Sequence, residues 1–307
     1  MSGKRRSLIQ VGGFIAVLVV LGLLFPVKLP PIEAGPLAVF EMHIGGFDFP
    51  VSNSMLITWI VSIILIVLTY VSTRHMKTIP SGLQNVVEVV IESIDGLVSD
   101  VAGKRGRRFF PFVATFFIFL LLTNLTEVLP GFGSIGVWRT SAEGTKMLVP
   151  LFRTPSADLN TTVALALISV LMTQVFGIMA LGFIGYGSKF LNFGKLIHFT
   201  LALAGRRPRK KMGGLLAWGV IDAITGLIEL FSEVVKLLTF SFRLFGNMFA
   251  GEVLLIVMAF FFAQILPLPF YLFETFVAFI QAYVFAILTL VFMSMATTHT
   301  ASAGGAD

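Results

Sequence analysis

The chain lacks cysteine altogether among its 307 residues. This absence excludes a disulfide framework, a thiol nucleophile and a thiolate metal site. Charged residues are scarce as well, at 12% of the chain, whereas soluble domains carry about 25%. Hydrophobic residues make up 56% of the chain, and the mean hydropathy is +0.94. The composition therefore indicates an integral membrane protein.

Sequence motifs of catalysis are missing too. The chain contains no HExxH zinc motif, no Walker A phosphate loop and no GxSxG nucleophile elbow. Its histidines are scattered along the chain and suggest no metal site: His43, His75, His198 and His299. We therefore expect no catalytic residues, no metal and no cofactor.

Long apolar runs recur along the chain, and about 20 apolar residues are enough for a helix to span a bilayer. The runs occupy residues 8 to 25, 54 to 73, 109 to 129, 160 to 186, 215 to 263 and 270 to 298. Residues 80 to 102 instead have the apolar spacing of an amphipathic helix, which we expect at the membrane surface. The sequence predicts an all-α membrane protein with about six membrane helices and one surface helix.

Basic residues fall in short clusters between apolar runs. They lie at positions 4 to 6, 74 to 108 and 189 to 211. This clustering is a topology signal, so the net charge of +6 does not indicate a nucleic-acid partner. The positive-inside rule predicts that both termini are cytoplasmic and that residues 26 to 53, 130 to 159 and 264 to 269 lie outside. Three basic residues weaken this alternation: Arg139, Lys146 and Arg153.

Two parts of the chain differ in character. Residues 1 to 46 are predicted to form an anchor helix followed by an external segment. Their basic start and apolar core also have the shape of a cleaved signal peptide, but we favour a retained anchor. Residues 47 to 307 are predicted to form a single membrane domain.

The last two apolar runs are predicted to form a long helical hairpin. No proline occurs from Leu215 to Ala263, a stretch that as a helix would be about 70 Å long, more than twice the hydrocarbon thickness. Such a helix must tilt steeply or break. A loop at Pro267 and Pro269 is expected to return the chain as the second arm.

Arg243 lies within this hairpin, and an arginine at the bilayer centre costs from about 3 to more than 10 kcal/mol. No acidic residue lies one helical turn from Arg243, whereas Lys236 has Glu233 three residues before it. The charge of Arg243 must therefore be balanced from outside its own helix. We favour a functional role for it over that of a snorkelling or structurally paired arginine.

Other ionisable residues form a pattern around Arg243. Glu229, Lys236 and Arg243 recur every seven residues and so form one polar stripe. On a straight helix Glu252 lies half a turn out of phase with Arg243 and about 13 Å from it along the axis, so the two side chains lie on different faces of the helix.

On the second arm, Glu274 and Gln281 share a face. Glu252 and Glu274 lie at comparable distances from the bend, so their carboxyl groups are expected to approach each other, as a proton relay would require. Two neutral structural acids remain the alternative.

Several sequence segments together resemble one protein family. They are RLFGNMFAGE (Arg243 to Glu252), LIEL before it, QAYVFAILTLVFMSMA after it, NLTEVLPG (Asn124 to Gly131) and PSADLNTT (Pro155 to Thr162). Over about residues 47 to 297 the chain resembles the a subunit of the F-type ATP synthase, the stator of the Fo membrane sector.

The resemblance implies a mechanism for Arg243. It would face a carboxylate on a neighbouring ring of c subunits, and two opposite charges about 4 Å apart attract by about 4 kcal/mol at an effective dielectric constant near 20. This attraction favours release of the proton from the ring acid. Because a guanidinium does not deprotonate, Arg243 cannot relay protons and repels a leaking cation. Protons then cross only with ring rotation, which is coupled to ATP synthesis.

The resemblance also assigns the remaining polar residues to two half-channels. The proton-translocating set is Arg243, Asn247, Glu252, Glu274 and Gln281. Further outer half-channel candidates are Asn124, Glu127, Ser156, Asp158 and Asn160, and inner candidates are Glu229, Ser232 and Lys236. Implied partners are the c ring, the b subunits of the peripheral stalk and lipid, in a bacterial-type plasma membrane. Many family members have His where Glu274 stands, and the N-terminal segment does not fit the common pattern.

Three other classes of protein fit the sequence less well. A secondary transporter would use Arg243 to bind an anionic substrate, but such proteins usually have inverted repeats, and none is evident in this sequence. A structural anchor would not need Arg243, Glu252 and Glu274 in the membrane. A membrane enzyme would need a nucleophile and base, or a metal cluster.

Overall fold

The computed structural model describes residues 35–44, 46–129, 135–140, 146–190, 212–261 and 267–298. The strands within these ranges are β1 (Ala38–Ile44), β2 (Phe47–Ser52), β3 (Gly136–Thr140) and β4 (Lys146–Pro150). The helices are α1 (Asn53–Thr73), α2 (Leu83–Ala102), α3 (Phe110–Val128), α4 (Leu159–Leu181), α5 (Phe183–Phe190), α6 (Met212–Phe261) and α7 (Pro267–Thr297), with short 3-10 helices at Gly103–Arg108 and Pro155–Ala157.

The prediction of a mostly helical membrane protein is confirmed. Within the described ranges, five helices are long and apolar enough to cross a membrane: α1, α3, α4, α6 and α7. The predicted first membrane helix, at residues 8 to 25, lies outside the described residues. The predicted amphipathic helix is present as α2.

The long helix α6 runs without interruption for 50 residues. At 1.5 Å per residue its length is about 75 Å. The prediction of a helix more than twice as long as the hydrocarbon thickness is therefore confirmed. The sequence required such a helix either to tilt steeply or to break, and α6 does not break.

Two details of the predicted helices were wrong. Residues 160 to 186 are not one helix, because Gly182 adopts a left-handed φ of 76°, which ends α4 and allows α5 to begin. Pro267 and Pro269 do not lie in the loop but in the first turn of α7. Proline is tolerated there because the first N–H groups of a helix have no partner within it.

Two antiparallel hairpins, β1–β2 and β3–β4, were not predicted. They lie in segments that were expected only to be external. In the first hairpin Ile44 pairs with Phe47, and Gly46 in the turn has a φ of 90°. The hairpin ends directly at α1, whose N-terminal N–H of Met55 is capped by the Ser52 hydroxyl.

Contacts divide the chain into two compact units. The first comprises the described residues up to Glu88 together with Thr115–Thr162 and Phe242–Phe285. Its core contains edge and tilted aromatic pairs, such as Phe117 with Phe279 at 6.0 Å between ring centroids. The small buried residue Ala278 lets the Asn124 side chain reach its backbone carbonyl at 3.4 Å.

The second unit comprises Val89–Ala114, Val163–Ser241 and the described residues from Ala286 onward. The Phe240 and Phe292 rings pack edge to face in its core, with centroids 5.6 Å apart. A buried hydrogen bond of 2.8 Å joins the hydroxyls of Ser169 and Thr289.

Candidate functional site

An ion pair between Arg153 and Glu252 forms the centre of a polar cluster in the first unit. Nε and Nη2 of Arg153 both donate to Oε2 of Glu252, at 3.1 and 2.9 Å. The third guanidinium nitrogen, Nη1, donates to the backbone carbonyl of Gly35 at 2.6 Å. Arg153 is only 6% exposed. Three hydrogen bonds therefore fix its guanidinium in one orientation.

Two further carboxyl groups belong to this cluster. Glu127 on α3 lies within electrostatic range of Glu252, Glu274 and Arg153. Both carboxyl oxygens of Glu127 and Oε2 of Glu274 are buried and have no hydrogen-bond partner within the described part of the chain. The cluster therefore contains three carboxyl groups, whereas Arg153 supplies a single positive charge.

Gly251 determines where the Glu274 carboxyl group lies. A Cβ atom at position 251 would fall 2.5 Å from Oε2 and 2.8 Å from Oε1 of Glu274. Only glycine lets the carboxyl approach the α6 backbone so closely. The expected approach of Glu252 and Glu274 is thus partly observed, since Glu274 packs beside the residue before Glu252, but the two carboxyl groups form no hydrogen bond with each other.

Neutral polar side chains extend this cluster. The buried Ser156 hydroxyl donates to Oδ1 of Asn124 at 2.5 Å. The Ser54 hydroxyl donates to Oδ2 of Asp158 at 2.6 Å, and both residues are almost fully buried. Asn160 does not join them with its side chain, which is exposed; only its backbone N–H binds Asp158, at 2.9 Å.

Asn247 and Gln281 connect the two long helices directly. Nδ2 of Asn247 on α6 donates to Oε1 of Gln281 on α7 at 2.8 Å. Gln281 is buried at 4% exposure, while Asn247 is exposed. The predicted polar face of α7 is therefore in contact with the segment of α6 that begins at Arg243.

Arg243 itself is partly exposed and lies one turn before Asn247 on α6. Within the part of the chain that the structure describes, it forms no ion pair. The expectation that its countercharge does not come from its own helix is consistent with this geometry. An uncompensated guanidinium at the surface of a membrane-spanning helix is suited to an acidic group on another molecule.

The inner candidates lie in the second unit. Nζ of Lys236 binds Oε1 of Glu233 at 2.8 Å, which confirms the predicted local pairing, and also lies 4.9 Å from the Phe292 ring centroid. Glu229 and Ser232 are partly buried on the same helix.

Tyr186 also lies in the second unit, on α5, which follows the membrane-spanning helix α4. Burial, and secondarily the charges of Glu233 and Glu229, raise the pKa of Tyr186 to about 12. Its phenol therefore stays protonated and donates to Oε1 of Gln174 at 2.5 Å. Gly177 makes room for the Tyr186 ring, which a Cβ atom there would contact.

Sequence reasoning missed Arg153 and Ser54 as members of the site. Arg153 was noted only as an exception to the charge alternation, although a basic residue two positions before PSADLNTT is the signal that would have identified it. Ser54 carries no such signal, because its contact with Asp158 joins positions 104 residues apart. Among the residues that the structure describes, no three or more His, Asp or Glu side chains are arranged so that they could hold a metal ion.

Comparison with known proteins gives one consistent result. A family model described as "ATP synthase A chain" matches residues 55–294. The "ATP synthase subunit a" of Trichlorobacter lovleyi is 32% identical over 242 residues, which cover 79% of this chain and 86% of that protein. The "ATP synthase subunit a" of Moorella thermoacetica is 30% identical over 259 residues, covering 84% and 95%. The "ATP synthase subunit a 3" of Pelobacter propionicus is 33% identical over 236 residues, covering 77% and 83%.

Proposed function

This chain belongs to the ATP synthase A chain family, and from that membership we propose that it is the stator a subunit of the Fo motor, which conducts protons past a ring of c subunits. The single observation that carries the proposal is Arg243, a partly exposed guanidinium in a membrane-spanning helix that forms no ion pair within the described chain. Its partner is the carboxylate of a c subunit.

Arg243 acts on that carboxylate electrostatically. At a separation of about 4 Å and an effective dielectric constant near 20, the attraction is about 4 kcal/mol in favour of the ionised carboxylate. The ring acid therefore releases its proton as it reaches Arg243. The guanidinium keeps its own proton and repels cations, so it separates the two access paths.

The outer half-channel uses the polar cluster of the first unit. Glu127 lies within electrostatic range of Glu252 and Glu274, and Asn124 with Ser156 continues the polar surface. The Asn247–Gln281 hydrogen bond links this cluster to the segment of α6 that carries Arg243. Asp158 and Asn160 complete the set assigned to this path.

The inner half-channel uses the second unit. Glu229, Ser232 and Lys236 are assigned to it, and Lys236 keeps its charge close to Glu233. Each proton that passes between the two aqueous sides releases about 2.3 kcal/mol per 100 mV of membrane potential. Ring rotation delivers this energy to ATP synthesis.

The subunit works within the ATP synthase complex, where it contacts the c ring and the b subunits of the peripheral stalk. We place it in a bacterial-type plasma membrane with both termini in the cytoplasm, according to the distribution of basic residues. It is not an enzyme by itself. A secondary transporter for an anionic substrate is the less favoured function, since family membership does not support it.

The test is ATP-driven proton pumping in inverted vesicles that carry Arg243→Ala. We expect pumping to fall by about a thousandfold, the rate equivalent of about 4 kcal/mol. Copurification of the c ring shows whether the complex has assembled. The matched control is Arg74→Ala, which alters an exposed arginine directly after α1 and outside the site. Normal pumping by an assembled Arg243→Ala complex would contradict the proposed function.

A further inference from the structure

The Arg153–Glu252 pair assigns different roles to the three carboxyl groups of the outer cluster. Two N–H groups of the guanidinium donate to the same oxygen of Glu252, and the third nitrogen is held by the Gly35 carbonyl. Glu127 and Glu274 have no comparable donor within the described residues, since three of their four carboxyl oxygens are buried without a partner.

Charge balance separates these roles. A guanidinium always carries its positive charge, so Arg153 balances one carboxylate and hydrogen-bonds to it. A second ionised carboxyl group in the same buried cluster would have no countercharge among the side chains that the structure describes, which is strongly unfavourable. Glu252 is therefore the ionised member, and Glu127 and Glu274 rest protonated. Either of them takes up an entering proton only as it passes its own proton on.

The fixed position of Arg153 supports a positioning role. It lies immediately before the buried residues Thr154–Asp158, and the Gly35 carbonyl restrains it from the other side. Movement of Glu252 would break two charge-assisted hydrogen bonds at once. A proton-carrying side chain must release and rebind its proton, whereas this geometry keeps Glu252 in one state.

We propose that Arg153 is a positioning residue of the outer half-channel: it holds Glu252 as a fixed countercharge, so that Glu127 and Glu274 exchange the translocated proton. The proposal rests on the proposed function, because it divides labour within that half-channel. The residues involved lie on α3 (Glu127), α6 (Glu252), α7 (Glu274) and the segment before α4 (Arg153).

The experiment compares four complexes by passive proton flux through Fo in vesicles stripped of the F1 sector, driven by a potassium diffusion potential. The four complexes are the wild type, the single variants Arg153→Gln and Glu252→Gln, and the double variant with both substitutions. Arg153→Gln is expected to reduce flux by about tenfold or more, because it removes two hydrogen bonds to a charged group. The double variant, which removes both charges together, is expected to recover to within about threefold of wild type.

Recovery in the double variant is the decisive result. If Glu252 carried the proton, the double variant would conduct no better than Arg153→Gln, and the proposal would be overturned. Glu127→Gln and Glu274→Gln are each expected to lose flux, also in the background of the double variant. Flux that survives both of these substitutions would equally contradict the proposal.

Two further variants separate positioning from folding. Arg153→Lys keeps the charge but not the paired geometry, so an intermediate flux is expected. The matched control with normal flux is Arg74→Gln, at an exposed position directly after α1. Ring copurification reports assembly for each variant. Failure of the double variant to assemble would contradict the proposal, because the pair would then be needed for folding. Failure of the proposed function would appear separately, as proton pumping that persists in Arg243→Ala.

Discussion

Two arginines of the first unit, Arg153 and Arg243, differ in almost every physical respect. Arg153 is 6% exposed, and each of its three guanidinium nitrogens donates a hydrogen bond within the chain, to Glu252 or to the Gly35 carbonyl. Arg243 is partly exposed and has no ion-pair partner among the described residues. A charge satisfied within the chain stabilises that chain, whereas a charge left unsatisfied in a membrane helix is available to another molecule.

The strongest test of this difference is the stability of the purified chain. Arg153→Ala leaves the Glu252 carboxylate without its partner, which we expect to lower the free energy of unfolding by about 3 kcal/mol. This figure is at the low end for buried pairs because the Glu252 side chain is 27% exposed. Arg243→Ala removes no ion pair among the residues that the structure describes and should change the free energy by less than about 1 kcal/mol. Denaturant titration in mild detergent measures both, and equal losses would remove the distinction.

The sequence predicted Arg243 and missed Arg153 for a physical reason. The environment of Arg243 could be inferred from its own helix, since residues three and four positions away are its neighbours there. The partner of Arg153 lies 99 residues away along the chain, and no periodicity connects the two. Local patterns therefore identified which charges needed explanation, but not which of them found a partner through tertiary packing.

The same limit applies to the fold. Apolar runs and helical periodicity predicted α1, α2, α3, α6 and α7 closely, because these signals are local. The end of α4 at Gly182 depends on one left-handed residue, and the two hairpins depend on strand pairing. Neither feature changes the apolar pattern from which the helices were predicted.

A second test compares two glycines of α6, one next to the Arg153 partner Glu252 and one near Arg243. At Gly251, before Glu252, an added Cβ atom would collide with the Glu274 carboxyl group, whereas at Gly246, three residues after Arg243, it would meet nothing within 4 Å. We expect Gly251→Ala to destabilise the chain by about 1 to 2 kcal/mol through this collision. Gly246→Ala should instead stabilise it by up to about 1 kcal/mol, because alanine favours the helix. Unfolding titrations that ranked the two in the opposite order would contradict the packing at Glu274.

A third effect, similar in size to that of Gly251→Ala, is expected at a hydrogen bond between neutral side chains near Arg153. Ser156→Ala leaves Oδ1 of Asn124 buried without its donor, at a cost of about 1 to 2 kcal/mol. The matched control is Ser93→Ala on the exposed face of α2, where the hydroxyl binds only a backbone carbonyl of its own helix. A control variant that lost as much stability as Ser156→Ala would show that burial of this hydrogen bond does not matter.

The smallest effect is expected at Lys236, which lies on the same helix as Arg243 but has a partner. Lys236→Met removes an ion pair with Glu233 three residues earlier and a cation–π contact with Phe292. Each is worth about 0.5 kcal/mol, so the chain should lose only about 1 kcal/mol of unfolding free energy. Because methionine keeps most of the apolar stem, the loss reports the charge alone. A loss comparable to that of Arg153→Ala would mean that Lys236 supports Glu233 as firmly as Arg153 supports Glu252, and that a fixed countercharge is not a property of the outer cluster alone.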